Sequence, residues 1–116
     1  MGHRSDVIFA CVADAVPTLL AEAGKSAALK KLLFADADEK LLGNYDSEGS
    51  YLFRWNQIGW NNRYPAIQAF NQMIEKIIER LGFEAYRFVC IGEELDHNEV
   101  EGFGFEHIYV RREIDY

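Results

Sequence analysis

The chain has 116 residues, 49% apolar and 27% charged, the composition of one globular domain with a modest core. Nineteen Asp and Glu against twelve Lys and Arg leave a net charge of −7, which argues against a nucleic-acid binder and against docking to an anionic membrane, since both call for clustered cations. No apolar run approaches the roughly 20 residues that span a bilayer, and MGHRSDVIFA lacks the apolar segment and cleavage site of a secretory signal, so the expectation is one cytoplasmic domain over residues 1–116.

In chain order, residues 6–13 (DVIFACVA) read as a strand. Asp14 is placed to cap a helix and Pro17 fits a first helical turn. Leu19, Leu20, Ala23, Ala27 and Leu32 recur at helical spacing, so residues 15–34 are expected as one helix, weakened at Gly24. Residues 40–58 read as a hairpin, with YLFRWNQI as its strong strand. After the loop GWNNRYP, Pro65 opens the clearest helix, striped by Ile67, Phe70, Ile74, Ile77, Ile78 and Leu81 and stopped by Gly82. Residues 85–91 and 107–114 are expected as the last two strands, with the stretch from Gly92 to Glu106 as a loop.

The order β-α-β-β-α-β-β predicts an α+β fold. Its antiparallel sheet has about five strands and carries two helices on one face, ferredoxin-like with one added edge strand. The crossover rule puts strand one in the middle. The other sheet face would lack helix cover and, with Leu52, Arg54 and Asn56 on it, offers a mixed surface to a partner or a dimer mate. Cys11 and Cys90 lie inside apolar runs and read as buried thiols of a reducing compartment. In this topology they fall at opposite ends of neighbouring strands and cannot bridge.

Several catalytic patterns fail on spacing. Gly24-Lys25-Ser26 mimics the end of a phosphate-binding loop, but Leu19 stands where that loop needs a glycine, and the tripeptide sits within a helical pattern. Neither cysteine has a local histidine partner, and His3, His97 and His107 form no nucleophilic motif. Asp96, His97, Glu99 and Glu101 are potential metal ligands, yet they match neither an EF-hand nor a zinc spacing, so no metal and no cofactor is expected. A glycosidase-type carboxylate pair would need a cleft that a loop does not supply.

The acidic stretch stands out all the same. Glu93, Glu94, Asp96, Glu99 and Glu101 crowd into nine positions, where mutual repulsion opposes packing unless a basic partner is met. Trp60 lies outside the regular elements by this reading. Its alternatives are ring packing that pins the loop to the second helix and an apolar anchor for recognition.

Three stretches, RSDV at the N-terminus, the W…GWNNRYPAIQAF segment and YRFVCIGEELDHNE, resemble a family of small proteins from tailed phages and prophages. Those proteins carry an RSDV-type first strand, a V-K-W-Y-type segment before the second helix and an IGED-type turn with an acidic loop. Here the middle motif is altered to Ile58-Gly59-Trp60-Asn61 and the turn is Ile91-Gly92-Glu93-Glu94. The resemblance implies a phage or prophage origin and expression in the bacterial cytoplasm, and it supplies no catalytic residues to carry over to this chain. The resulting expectation is a non-enzymatic accessory protein that binds a host protein with a basic surface. By class-level analogy it is a counter-defence inhibitor of anti-CRISPR type, filling a basic channel with its carboxylates. A small enzyme or ligand-binding domain using the open sheet face, and a self-associating structural or virion-assembly protein, are the alternatives.

Overall fold

The computed structural model describes residues 4–92 and 98–105. Its first strand, β1 (Ser5–Cys11), is buried on both faces except at Asp6, which suits an apolar run at the centre of a sheet. Five antiparallel strands lie in the order β2-β3-β1-β4-β5, where β2 is Glu39–Leu42, β3 Tyr51–Ile58, β4 Tyr86–Gly92 and β5 Asn98–Glu101. The α+β class, the antiparallel five-stranded sheet and the central position of β1 follow the sequence pattern. Two details differ. The strand beside β4 is Asn98–Glu101, inside the stretch read as loop; the strand expected at 107–114 lies outside the described residues.

The helical layer also departs from expectation. Residues 15–34 are two helices, α1 (Val16–Lys25) and α2 (Ala27–Phe34), so the sheet carries three helices rather than two. Ser26 takes an extended backbone between them, and its Oγ accepts a hydrogen bond from the Leu29 N–H at 3.2 Å. Serine competes for backbone donors better as a cap than inside a helix. The expected cap, Asp14, instead lies exposed in a 3₁₀ turn, Ala13–Ala15, and α1 has no side-chain cap.

Helix α3 (Pro65–Leu81) begins at its proline and stops at Gly82, whose φ of 84° is left-handed. Ile67, Phe70, Met73, Ile74 and Ile77 bury the helix against the sheet, while Ile78 is half-buried and Leu81 exposed, so the core-facing stripe is narrower at its C-terminal end than the spacing suggests. On the sheet these meet Phe9, Phe53, Trp55 and Phe88. The indole N–H of Trp55 donates to the Leu32 carbonyl at 2.9 Å, tying α2 to the sheet within the core.

The opposite sheet face corrects another expectation. Ile8, Ala10, Leu52 and Val89 have no exposure and form a second apolar cluster, bordered by Leu41, Tyr45 and Phe105. Of the three residues expected to offer a mixed surface there, Leu52 is core, Arg54 is half-buried and only Asn56 is exposed. Cys11 and Cys90 are both free thiols. Cys90 pairs with Val7, four positions from Cys11, so the two are about 13 Å apart along the sheet. Among the described residues no helix is long and apolar enough to cross a membrane.

Candidate functional site: an acidic groove beside the edge of the ladder

Strand register decides where the carboxylates go. On the helix side, β1 presents Val7, Phe9 and Cys11, and β4 presents Tyr86, Phe88 and Cys90. β5 is registered so that Glu101 stands opposite Phe88 and Glu99 opposite Cys90. Residues directly opposite in an antiparallel pair share a face. Both glutamates therefore lie on the helix side of the sheet, where β1, β3 and β4 carry core residues. Two positions apart on one strand, they are separated by about 7 Å.

Between α3 and the β4–β5 ladder this leaves a groove of about 910 Å³. Phe88 and Cys90 line it from the sheet, and Asn71, Ile74, Glu75 and Ile78 from α3. Glu99 and Glu101 line it from β5, and Trp60, Asn61 and Asn62 from the loop before α3. Its lining is more polar than the mostly apolar walls of a small-molecule cleft, with carboxylates and amides set around a few rings and aliphatic side chains. Trp60 is half-buried, with its ring 5.6 Å from Phe88, 5.0 Å from Phe70 and 5.5 Å from Trp55. It pins the loop to α3, as one sequence reading had it, and still contributes to the groove lining. The loop is fixed further by a turn in which the Asn61 carbonyl accepts from the Tyr64 N–H at 3.0 Å. The Asn71 amide donates to Asn62 Oδ1 at 3.3 Å.

What holds β5 in register is a glycine pair that the sequence reading passed over. Gly102 has a φ of +86°, and a Cβ there would lie 2.2 Å from the Tyr86 carbonyl oxygen; one on Gly104 would lie 2.6 Å from the Glu84 carbonyl oxygen. Only a chain without side chains at these positions can press so close. The approach is sealed by Phe103 N–H to Phe83 O at 2.7 Å, Gly104 N–H to Tyr86 O at 3.0 Å, and an Arg87 guanidinium N–H to Gly102 O at 2.8 Å.

The electrostatics of the groove are one-sided. Among the described residues, no hydrogen bond or ion pair joins Glu75, Glu99 or Glu101 to a cation; the ion pairs engage Glu22 and Asp36. Partial burial, and then the charge of Glu99, push the Glu101 carboxyl above the usual range. Burial also raises the Cys90 thiol, with Glu99 and Asp6 adding to it and a hydrogen bond to Ser5 opposing, so Cys90 is a poor nucleophile. Near Glu101, the fully buried Tyr86 has a hydroxyl with no hydrogen-bond partner among the described residues, and burial followed by the Glu101 charge pushes it up to about 12.

Of the six residues singled out in the sequence, the structure brings three together: Glu99, Glu101 and Trp60 line one groove. Glu93, Glu94 and Asp96 lie outside the described residues, as do His3, His97 and His107. Glu75 and the three asparagines were missed. On α3 the spacing of Asn71 and Glu75 with Ile74 and Ile78 marks a flank of the apolar stripe, and that is the signal that could have found two of them. Among the described residues no group of three His, Cys, Asp or Glu is arranged to hold a metal ion. The GKS tripeptide forms no phosphate cradle either, because Lys25 is drawn to Glu22 at 3.1 Å at the end of α1. The groove offers acceptors and negative charge over aromatic carbon, which is chemistry for holding a cation. Comparison with protein-family models, with curated proteins and with solved structures returns no match for this chain.

Proposed function

We propose that this chain is a binding protein rather than an enzyme, and that its groove receives a basic element of a protein partner. The observation that carries the reading is the register of β5, which turns Glu99 and Glu101 toward the helix side beside Trp60 and Glu75, with no cation paired to them among the described residues. Like charges held this way oppose one another in the free protein and gain charge-assisted hydrogen bonds once a cation arrives. The net charge of −7 would steer a basic partner toward this face. Together with the resemblance to small phage proteins, this supports an accessory protein that engages a host protein, with interference in a host defence machine that handles nucleic acid as the context proposed for it. A catalytic reading gains less support. Glu99 and Glu101 stand side by side on one strand instead of flanking a substrate, and the sheet face once considered for a ligand is closed at Ile8, Leu52 and Val89.

The test replaces Glu99 and Glu101 with Gln, checks folding by circular dichroism, and compares capture of bacterial proteins at low and high salt. Wild type should retain a basic protein at low salt and release it at high salt, and the double variant should not retain it. Equal capture by both proteins at every salt concentration would remove the groove from the binding surface.

A further inference from the structure

The groove's shape narrows what it can hold, and we infer that its occupant is an arginine side chain of the partner, its guanidinium plane on the Trp60 ring between Glu101 and the asparagine-lined end of the groove. This rests on the binding reading above and deepens it. A bare divalent ion is a poor fit. A divalent ion takes about six or more oxygen ligands, and among the described residues no group of three His, Cys, Asp or Glu is arranged to hold one. An ammonium is a compact and strongly hydrated point charge, and it makes little use of an aromatic wall. A guanidinium is flat and weakly hydrated and carries five N–H donors in one plane, so it can stack on an indole while donating to separate acceptors along its edge. The groove supplies both halves. Trp60 is half-buried and braced by Phe70 and Phe88, so the ring is already fixed in place. Glu101 stands across from Phe88, whose ring lies 5.6 Å from Trp60, and Glu99 follows on the same face. Asn61 and Asn62 line the same groove, their Oδ1 atoms already accepting from the Arg63 N–H and the Asn71 amide.

The experiment follows the indole N–H signals of the two tryptophans by ¹⁵N nuclear magnetic resonance. Three capped tripeptides, Gly-Arg-Gly, Gly-Lys-Gly and Gly-citrulline-Gly, are titrated in turn. Trp55 is an internal control, since its indole N–H is bonded to Leu32 within the core. The arginine peptide should shift the Trp60 signal and leave Trp55 still, and it should bind about tenfold more tightly than the lysine peptide. The citrulline peptide, uncharged and nearly the same shape, should not bind. Glu99→Gln with Glu101→Gln should abolish the shift, whereas Glu84→Gln, outside the groove, should leave it. Equal affinity for lysine and arginine, or no Trp60 shift with any peptide, overturns the arginine assignment. If a basic protein is nonetheless captured in a manner that depends on Glu99 and Glu101, the binding reading stands without it, and loss of both results removes both.

Discussion

Gly102→Ala is the substitution that couples fold to site most directly. At φ +86° an alanine costs about 1–2 kcal/mol in backbone strain. Its Cβ would also meet the Tyr86 carbonyl oxygen at 2.2 Å, and backbone cannot step aside as a flexible side chain can. The chain must then lift off, which threatens the three hydrogen bonds made by Arg87, Phe103 and Gly104 around this point. At about 0.5–1.5 kcal/mol each, and with the strain relieved only in part, the loss comes to roughly 3–5 kcal/mol. Chemical denaturation measures the loss, and hydrogen exchange should show the β5 amides opening before those of β1. Gly24→Ala is the matched control of opposite sign. Gly24 is exposed in α1 with nothing within 4 Å of a new Cβ, so alanine there should stabilise by up to about 1 kcal/mol. If Gly102→Ala unfolds with wild-type stability and keeps β5 protected, the account of how the groove's second wall is held is wrong.

Other consequences concern the core and its ionisable groups. Ile74→Ala, at a position 5% exposed on α3, should cost roughly 2–5 kcal/mol in a thermal or chemical melt. Tyr86→Phe should be neutral or stabilising in the same melt, because it removes a buried hydroxyl with no partner and leaves the ring in place. Burial pushes the Cys11 thiol from 9.0 up to about 12, opposed by a backbone hydrogen bond at Tyr51. A raised folded pKa contributes stability that is complete below about 9 and lost as pH climbs toward 12, so denaturation midpoints should fall across that window, and less steeply in Cys11→Ala. Neither native cysteine should form an intramolecular disulfide under mild oxidation, which non-reducing mass spectrometry of the intact chain will read.

The elements that sequence pattern located are those where burial imposes a strict period. β1 is apolar on both faces because it lies mid-sheet, and α3 shows its stripe because one side packs on aromatic rings. Legibility failed where local chemistry decides. The break at Ser26 depends on one side-chain cap inside a run of good helix formers. β5 has a single apolar residue, Val100, which is exposed, so nothing in NEVE signals a strand; Glu99 and Glu101 alternate as a strand should, but with charge on the helix side. Charge at that position reads as a solvated loop from sequence alone, and only pairing with β4 reveals that it lines a groove. The clamp at Gly102 and Gly104 was equally hidden, since a glycine's need for close approach becomes visible only with the backbone it approaches.

The central claim is that Glu99 and Glu101 form one acidic site, unpaired with any cation among the described residues, that receives a cation from a partner; the titration of the Glu101 carboxyl carbon by ¹³C nuclear magnetic resonance tests it most directly. In the free protein Glu101 should titrate above an ordinary glutamate, because burial and the Glu99 charge both favour its protonated form. Glu99→Gln should lower it, and so should saturation with the Gly-Arg-Gly peptide, since a bound cation favours the carboxylate. A Glu101 carboxyl that titrates in the ordinary range, and moves with neither the substitution nor the peptide, would contradict the account.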